Sequence, residues 1–516
     1  MSDISHLSSE NEPNEQTQDN SLNASKADEE TSAKDNKTQV YNFLKVRDDE
    51  RALKLARSSD DAGLKKITFP EAKPSWAASG VVSVDDLRAR IEPWLGALLQ
   101  AEHLSLLVGS GLSTALQLDV GAQSNNGMEE VTSNTKYAKQ IYRKAKESVK
   151  ASGRVLCGKS DGDTAEKKVE NDATVGKDTD SLSSINLEDY FRVANELLRG
   201  LEVLDNEEER EDVWKLRKEI EEKIQNFANN ILSIENQIAT ADEEKREKAF
   251  QKLTRFLVPF ASRSGVRERL NLFTTNYDRV LEAGADVAGL RLVDRFVGAL
   301  SPIFRSSRLD VDMHYNPPGI RGEPRYLEGV VRYAKLHGSI DWISANDEIR
   351  RIGLPFGATS VEPYLQAPGL NADASKIMIY PNAAKDRETA EYPYVELFRD
   401  FAAAICRPNS VLVTYGYSFG DEHINRVIRD MLTIPSTHLV AIAYDDNTGR
   451  IRKAFKDWGR ENQISLMIGP DLASLDALVD RFLPRPALDE TLCRMTQNLE
   501  RRYGKSSQSG NKEGDQ

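Results

Sequence analysis

Apolar positions along this chain follow two patterns: short unbroken runs of about five residues, and longer stretches in which they recur every three or four. The unbroken runs are Leu104–Val108, Leu270–Thr274, Val330–Leu336, Lys376–Tyr380, Ser410–Tyr415, Leu439–Tyr444 and Ile464–Ile468. Each is short enough for a strand buried on both faces. The helical pattern begins where Ser83 precedes Val84-Asp85-Asp86, an N-cap with acidic residues in the first turn. Leu87, Ile91, Leu95, Leu98 and Leu99 follow, with Pro93 a candidate kink. Further helices are predicted from Asn186 through Leu198, over Tyr394–Ile405 and over His423–Leu432. Strand alternating with helix predicts an α/β, doubly wound, Rossmann-like and mostly parallel sheet.

That alternation is interrupted. Val213, Ile220, Phe227 and Ile234 recur every seven residues, with Leu216, Ile224, Ile231 and Ile238 between them, and charged residues cover the other face. This predicts an inserted helical module over residues 185–262, packing on its own third helix (Phe250, Leu253, Leu257, Phe260) or else joining two copies as a homo-oligomer. Before it, residues 121–184 are polar and predict a long loop or partly disordered insertion. Residues 1–75 are poor in large apolar groups and are expected to be a disordered tail, with Phe43 and Leu44 as its weak docking contacts. The remaining divisions are a core domain over 76–484 and, over 485–516, a short helix with a polar tail.

Composition narrows the function classes. The 516 residues carry a net charge of −13 and a charged fraction of 29%, which opposes direct binding of a phosphate backbone. No run is apolar for long enough to span a membrane, and the polar start has no signal core, so a soluble cytoplasmic protein is expected. The three cysteines, Cys157, Cys406 and Cys493, are too scattered to clasp a metal or build a disulfide framework, and no metal is expected.

The candidate chemistry lies where strands should end. Leu104–Val108 runs into Gly109-Ser110-Gly111-Leu112-Ser113, the kind of turn that brings backbone N–H groups close to a pyrophosphate. Alone it is equally an ordinary glycine turn. Leu270–Thr274 delivers Thr275-Asn276-Tyr277-Asp278, Val330–Leu336 ends at His337-Gly338-Ser339, and Ser410–Tyr415 runs into Gly416-Tyr417-Ser418-Phe419-Gly420-Asp421. A histidine beside glycine and serine is by itself more often a strand-end hydrogen-bonding residue than a catalyst.

Taken in order, these four turns resemble the sirtuin-like domains of bacterial anti-phage NAD hydrolases, over roughly residues 83–483. The resemblance implies that Gly109, Ser110, Gly111 and Ser113 form the turn that cradles the NAD+ diphosphate, and that Gly416 and Ser418 form a second nucleotide-contacting turn. It implies that Asn276 lies beside the nicotinamide ribose, that Thr275 and Asp278 shape that site, and that His337 is the catalytic histidine. Gly338 and Ser339 then read as the turn that aims the imidazole, with Trp342 packed behind it. Asp421, His423 and Asn425 belong to the same stretch without an assigned role, and helix capping or packing is the plainer reading for Asp421 and Asn425.

Two departures from deacylating sirtuins stand out. The zinc-ribbon cysteines are absent, and the turn after Ser113 reads Thr114-Ala115-Leu116-Gln117-Leu118-Asp119, with Asp119 only loosely placed to serve as the family's aspartate. Both shift the expected acceptor from acyl-lysine to water. The resemblance thus implies an NAD+ nucleosidase releasing nicotinamide and ADP-ribose, the toxic effector of an anti-phage system. It implies gating by a protein partner, a HerA-type ATPase before an Argonaute-like nuclease. The alternatives are a module that senses NAD+ or ADP-ribose without turnover, and an ADP-ribosyltransferase or deacylase.

Overall fold

The computed structural model describes residues 41–57, 67–71, 73–122, 133, 135–151, 187–204, 206–263, 267–307, 311–315, 325–345, 348–366, 370, 372, 377–379 and 392–486. The main sheet has eleven strands. In chain order they are β1 (Tyr41–Lys45), β2 (Leu53–Arg57), β3 (Ile67–Thr68), β4 (Val81–Val82), β5 (His103–Val108), β6 (Leu270–Thr274) and β7 (Arg291–Val293). The short strands β8 (Phe296–Val297), β9 (Ile303–Phe304), β10 (His314–Tyr315) and β11 (Arg325–Tyr326) lie outside it. The main sheet resumes with β12 (Val330–Lys335). The strands β13 (Gly338–Ala345), β14 (Glu348–Arg351) and β15 (Ile377–Ile379) again lie apart from it, and β16 (Ser410–Tyr415), β17 (His438–Ala443) and β18 (Ile464–Ile468) complete it.

Across the sheet the order is β4-β3-β2-β1-β18-β17-β16-β5-β6-β12-β7. The seven strands from β18 to β7 run parallel. β6 and β16 are buried along their whole length, as unbroken apolar runs in a two-sided sheet should be. Alternation then sorts side chains between the faces. Leu104, Leu106 and Val108 of β5 and Val411 and Val413 of β16 enter one core, with Leu107 and Leu412 in the other.

The helix after β5, α2 (Gly111–Asp119), places Leu112 and Leu116 in the first core. The helix that follows the β16 turn, Glu422–Met431, places Ile424 and Ile428 in the second. The chain therefore leaves the adjacent strands β5 and β16 toward opposite faces, which makes their carboxyl ends a topological switch point, the usual ligand crevice of an open α/β sheet.

The preceding helix α1 (Val84–Leu99) begins as expected. Ser83 Oγ accepts from Asp86 N while the Asp86 carboxylate accepts from Ser83 N, a closed capping box. The other helices are α3 (Ala138–Ala151), α4 (Leu187–Leu204), α5 (Arg210–Ala239), α6 (Glu243–Ala261), α7 (Val280–Val287), α8 (Tyr394–Ile405), α9 (Glu422–Met431) and α10 (Arg450–Asp457). A short helical stretch, Pro470–Phe482, closes the described fold on the first core.

Three expectations need correction. The supposed tail contains β1–β3, with Leu44, Val46, Leu55 and Ile67 buried in the first core. β1 pairs antiparallel with β18, and Asn42 locks it there by exchanging hydrogen bonds with Asp471 (2.9 and 3.0 Å). The polar insertion 121–184 contains the amphipathic helix α3, whose Ile141 and Ala145, with Tyr137 just before it, are buried in one core with Tyr190 and Phe191 of α4. Gly338 and Ser339 open a strand rather than a turn, since β13 continues directly from His337 and anchors the five-stranded antiparallel sheet β15-β13-β14-β9-β8. The remainder of 121–184 outside α3, the tail 1–40 and the short helix near Leu492–Arg502 lie largely or wholly outside the described residues, as do Cys157 and Cys493.

The helical module forms as its apolar spacing predicts, although its main partner differs. Ile231 and Phe227 of α5 belong to a third core with α3, α4 and with Ile340 and Ile343 of β13. Ile234 and Ile238 turn instead toward the first core, which α6 also enters.

Candidate functional site

The register brings all four strand ends level. Tyr415 of β16 lies opposite Val108 of β5, Val108 opposite Thr274 of β6, and Thr274 opposite Lys335 of β12. The turns at 109, 275, 336 and 416, separated by up to about 300 residues in sequence, therefore line one edge of four neighbouring strands.

Two of them touch at the switch point. Gly111 N donates to Gly416 O (3.2 Å), and Gly109 N donates to Tyr415 O (2.9 Å). A Cβ added to Gly109 would lie 2.4 Å from Gly416 O, and one added to Gly111 would lie 2.7 Å from Gly416 Cα. Gly416 also needs φ of +63°. Glycine is required here because two backbones cross with no room for a side chain. Ser110 and Ser418 are exposed at this edge.

The third turn is tied to the first. Asn276 N donates to Thr274 Oγ1 (3.0 Å), while its amide nitrogen donates to Gly109 O (3.1 Å) and Ser113 Oγ (3.2 Å). Ser113 in turn donates to Asp278 Oδ2 (2.8 Å), whose other oxygen accepts from Val280 N (3.1 Å) and so caps α7. Ser113, Asn276 and Asp278 are all buried. Ser113 thus bridges two turns from inside, and Asp278 acts as a capping carboxylate. Thr275 is half-buried and donates its N–H to Val108 O (3.2 Å). Asp119 lies in the last turn of α2 and pairs with Lys252 of α6 (2.8 Å), away from the glycine turn.

His337 follows β12 and is buried. Its Nε2 lies 3.0 Å from Nε2 of His423, in the first turn of α9, and its ring centre is 6.4 Å from that of Tyr277. Asp421 does not cap α9 through its side chain. Its carboxylate and the two imidazoles have ligand atoms within 4.8 Å of one another, a group of the composition that can hold a cation. Asn425 has the packing role: it donates to Phe419 O (2.9 Å) and accepts from Tyr417 Oη (3.1 Å). Trp342 lies in the second core with Leu336, its ring tilted against those of Phe296 and Phe304.

Several supporting residues lie outside the predicted turns. Lys335, fully buried, donates to Asp278 O and pairs with Glu282 Oε1 (3.0 Å). Burial pushes the Glu282 carboxyl up from its usual range, against the pull of Lys335. Arg279, next to Asp278, donates its backbone N–H (2.7 Å), Nε (3.2 Å) and Nη2 (2.5 Å) to the buried Glu235 of α5, and Nη2 also to Pro355 O (2.9 Å). Phe227 of α5 stacks edge-on against Tyr277 at 5.5 Å. The helical module is therefore fastened to the residues flanking Asp278. Arg450 at the start of α10 places Nη1 beside Gly420, where an added Cβ would meet it at 2.9 Å. A charged arginine flanked by glycine was the available signal. A cavity of about 530 Å³ between α3 and α4, lined in part by Lys144, Glu147 and Arg192, contains none of the predicted site residues.

A doubly wound sheet with two glycine turns in contact at its switch point is the arrangement in which open α/β sheets place their ligands. Residues 270–462 match the profile of the SIR2-like domain. The match carries Asn276, Asp278, His337, Gly416, Ser418 and His423 and fits an NAD-related activity. It begins at β6, so the Gly109 turn joins the site through the strand register. No curated protein matches the chain. Among the described residues no helix is long and apolar enough to cross a membrane.

Proposed function

We propose that this protein is an NAD+ nucleosidase that cleaves the nicotinamide glycosidic bond and releases nicotinamide and ADP-ribose. The observation that carries this reading is the level alignment of four strand ends, with the Gly109–Gly416 crossing at the switch point and Asn276 and His337 farther along the same edge. The glycine turns and the start of α2 suit a diphosphate, with Ser110 and Ser418 exposed beside them.

In the reaction the C1′–N bond breaks and nicotinamide departs with the electron pair. Its pyridinium nitrogen is already cationic, so no acid is needed for departure, and ribose passes through an oxocarbenium-like state. Water adds to C1′ and gives up a proton, which His337 accepts. The Asn276 amide nitrogen is committed to Gly109 and Ser113, so its Oδ1 is the atom that orients water or a ribose hydroxyl. Held in place, such groups lower the barrier by positioning without added charge.

Uncontrolled loss of NAD+ harms a cell, and we place the activity in anti-phage defence under the control of a protein partner, a HerA-type ATPase before an Argonaute-like nuclease. Incubating the purified chain with NAD+, alone and with such partners, tests the reading. Nicotinamide release is expected to fall by at least about 100-fold in His337→Ala, the usual scale for proton transfer by a positioned side chain, and to fall in Asn276→Ala through lost positioning of water or ribose. Release that survives His337→Ala would refute the mechanism. Binding of NAD+ without turnover under every condition would favour a sensor, and turnover only with an acylated peptide a deacylase.

A further inference from the structure

His337 and His423 meet through the same ring nitrogen, and the geometry of that meeting is specific. Their Nε2 atoms are 3.0 Å apart, their ring centres 5.2 Å apart and their planes inclined by 41°. The ring centres are nearly as far apart as a 3.0 Å nitrogen contact allows, so the rings meet head-on along their nitrogen lone-pair directions. Two lone pairs facing each other at this distance repel. One proton between them turns the contact into an N–H···N hydrogen bond.

A metal ion is the other species that could lie there, with Asp421 as a third ligand. Zinc bonds imidazole nitrogen at about 2.0–2.1 Å in tetrahedral sites. Nitrogens 3.0 Å apart and both turned toward such an ion would bring the ring centres closer together than 5.2 Å. The head-on approach favours the proton.

We infer that His337 and His423 share a single Nε2 proton, and that His423 is the positioning residue that sets the tautomer of His337. Its catalytic consequence rests on the nucleosidase reading of His337. For His337 to take up a proton on Nδ1 it must be the donor of this bond, with its proton on Nε2 and that of His423 on Nδ1. The proton released by water as C1′–O forms and C1′–N breaks goes to His337 Nδ1, the nitrogen that the His423 contact does not use. The imidazolium so formed keeps its hydrogen bond to His423, with the Asp421 carboxylate nearby to offset the charge, and later returns the proton to solvent. Around the pair stand Asp421 from the β16 turn, Tyr277 from the β6 turn and Phe398 of α8, whose ring centre is 5.0 Å from that of His423. Of these, Asp421 and Tyr277 can titrate. Both histidines are buried, and they lie 86 residues apart on different elements, so the fold itself sets the contact.

The chain has six histidines, few enough to assign in the full-length protein labelled with nitrogen-15 in the imidazole rings. The expected result is one protonated and one unprotonated Nε2, assigned with His337→Gln and His423→Gln, with scalar coupling between the two nitrogens through the hydrogen bond. Absence of that coupling in the folded wild type, or a stoichiometric metal whose removal changes both signals, would overturn the inference. In steady-state assays His423→Gln is expected to lower kcat by about 10- to 100-fold, less than loss of a proton-transfer residue. KM for NAD+ should stay near the wild-type value, and the pH–rate profile should shift. Wild-type kcat and an unchanged pH profile in a folded His423→Gln protein would overturn the positioning role. If the wild type hydrolyses no NAD+, the nucleosidase reading fails while the nitrogen-15 coupling still decides the shared proton.

Discussion

At the scale of single residues, burial decides what each ionisable group can do. His438, at the start of β17, lies half-buried with its Nε2 2.9 Å from Ser465 Oγ and its ring against Trp94. Burial, with a smaller push from Lys45, drives its pKa down to about 4. The unfolded chain has an ordinary histidine there, so between about pH 6.5 and 4 it binds a proton that the folded state refuses. The stabilising contribution is complete above that window and is lost as pH falls through it, by about 3 kcal/mol at one pKa unit per 1.4 kcal/mol. Urea unfolding of wild type and His438→Gln across this range is expected to show the wild type losing more stability on acidification. Equal slopes would contradict the assignment. Cys406 shows the same physics in a thiol: burial pushes it up to about 11, which leaves little thiolate at neutral pH.

At the scale of elements, the Glu235–Arg279 ion pair and the Phe227–Tyr277 ring contact attach α5 to the site. Burial pushes the Glu235 carboxyl up, against three donors from Arg279 that favour its ionised form. Neither side chain is free to find water, so removing one charge leaves the other buried and uncompensated. Glu235→Gln is expected to destabilise the protein by about 3–5 kcal/mol, measured by chemical denaturation. Because Arg279 adjoins Asp278, which caps α7 and accepts from Ser113, the same change is expected to lower nicotinamide release more than the stability loss alone explains. A loss below about 1 kcal/mol, the scale of surface pairs, would show that the helical module is not clamped in this way.

At the scale of the whole molecule, the sheet extends beyond its parallel core. β1 covers the β18 edge, and Lys45 of β1 donates to Glu461 O (2.7 Å) and Ile464 O (3.3 Å). An uncovered parallel edge would expose unpaired N–H and C=O groups. Leu44 is fully buried in the first core, so Leu44→Ala is expected to cost about 2–5 kcal/mol, read as a lower urea midpoint at unchanged slope. A solvated tail would show no change.

The alternation of apolar runs with helical spacing predicts six of the seven parallel strands, because strands buried on both faces must be apolar throughout; the three-residue β7 carries too short a run to stand out, and the run at Lys376–Tyr380 supplies β15 of the antiparallel sheet instead. The four turns are visible because glycine and polar residues interrupt those runs. β1–β3 were hidden because strands of two to five residues at a sheet edge, beside Arg47-Asp48-Asp49-Glu50-Arg51, carry too little apolar pattern to stand out from a polar leader. α3 was hidden by the polar sequence around it. The candidate site residues are legible singly, from their strand-end positions and their family resemblance. Their arrangement was not, since strand order and register depend on pairings between residues hundreds of positions apart. Tertiary structure alone decided that Gly111 meets Gly416, that Glu235 reaches Arg279, and that His423 faces His337 across a single hydrogen-bond distance.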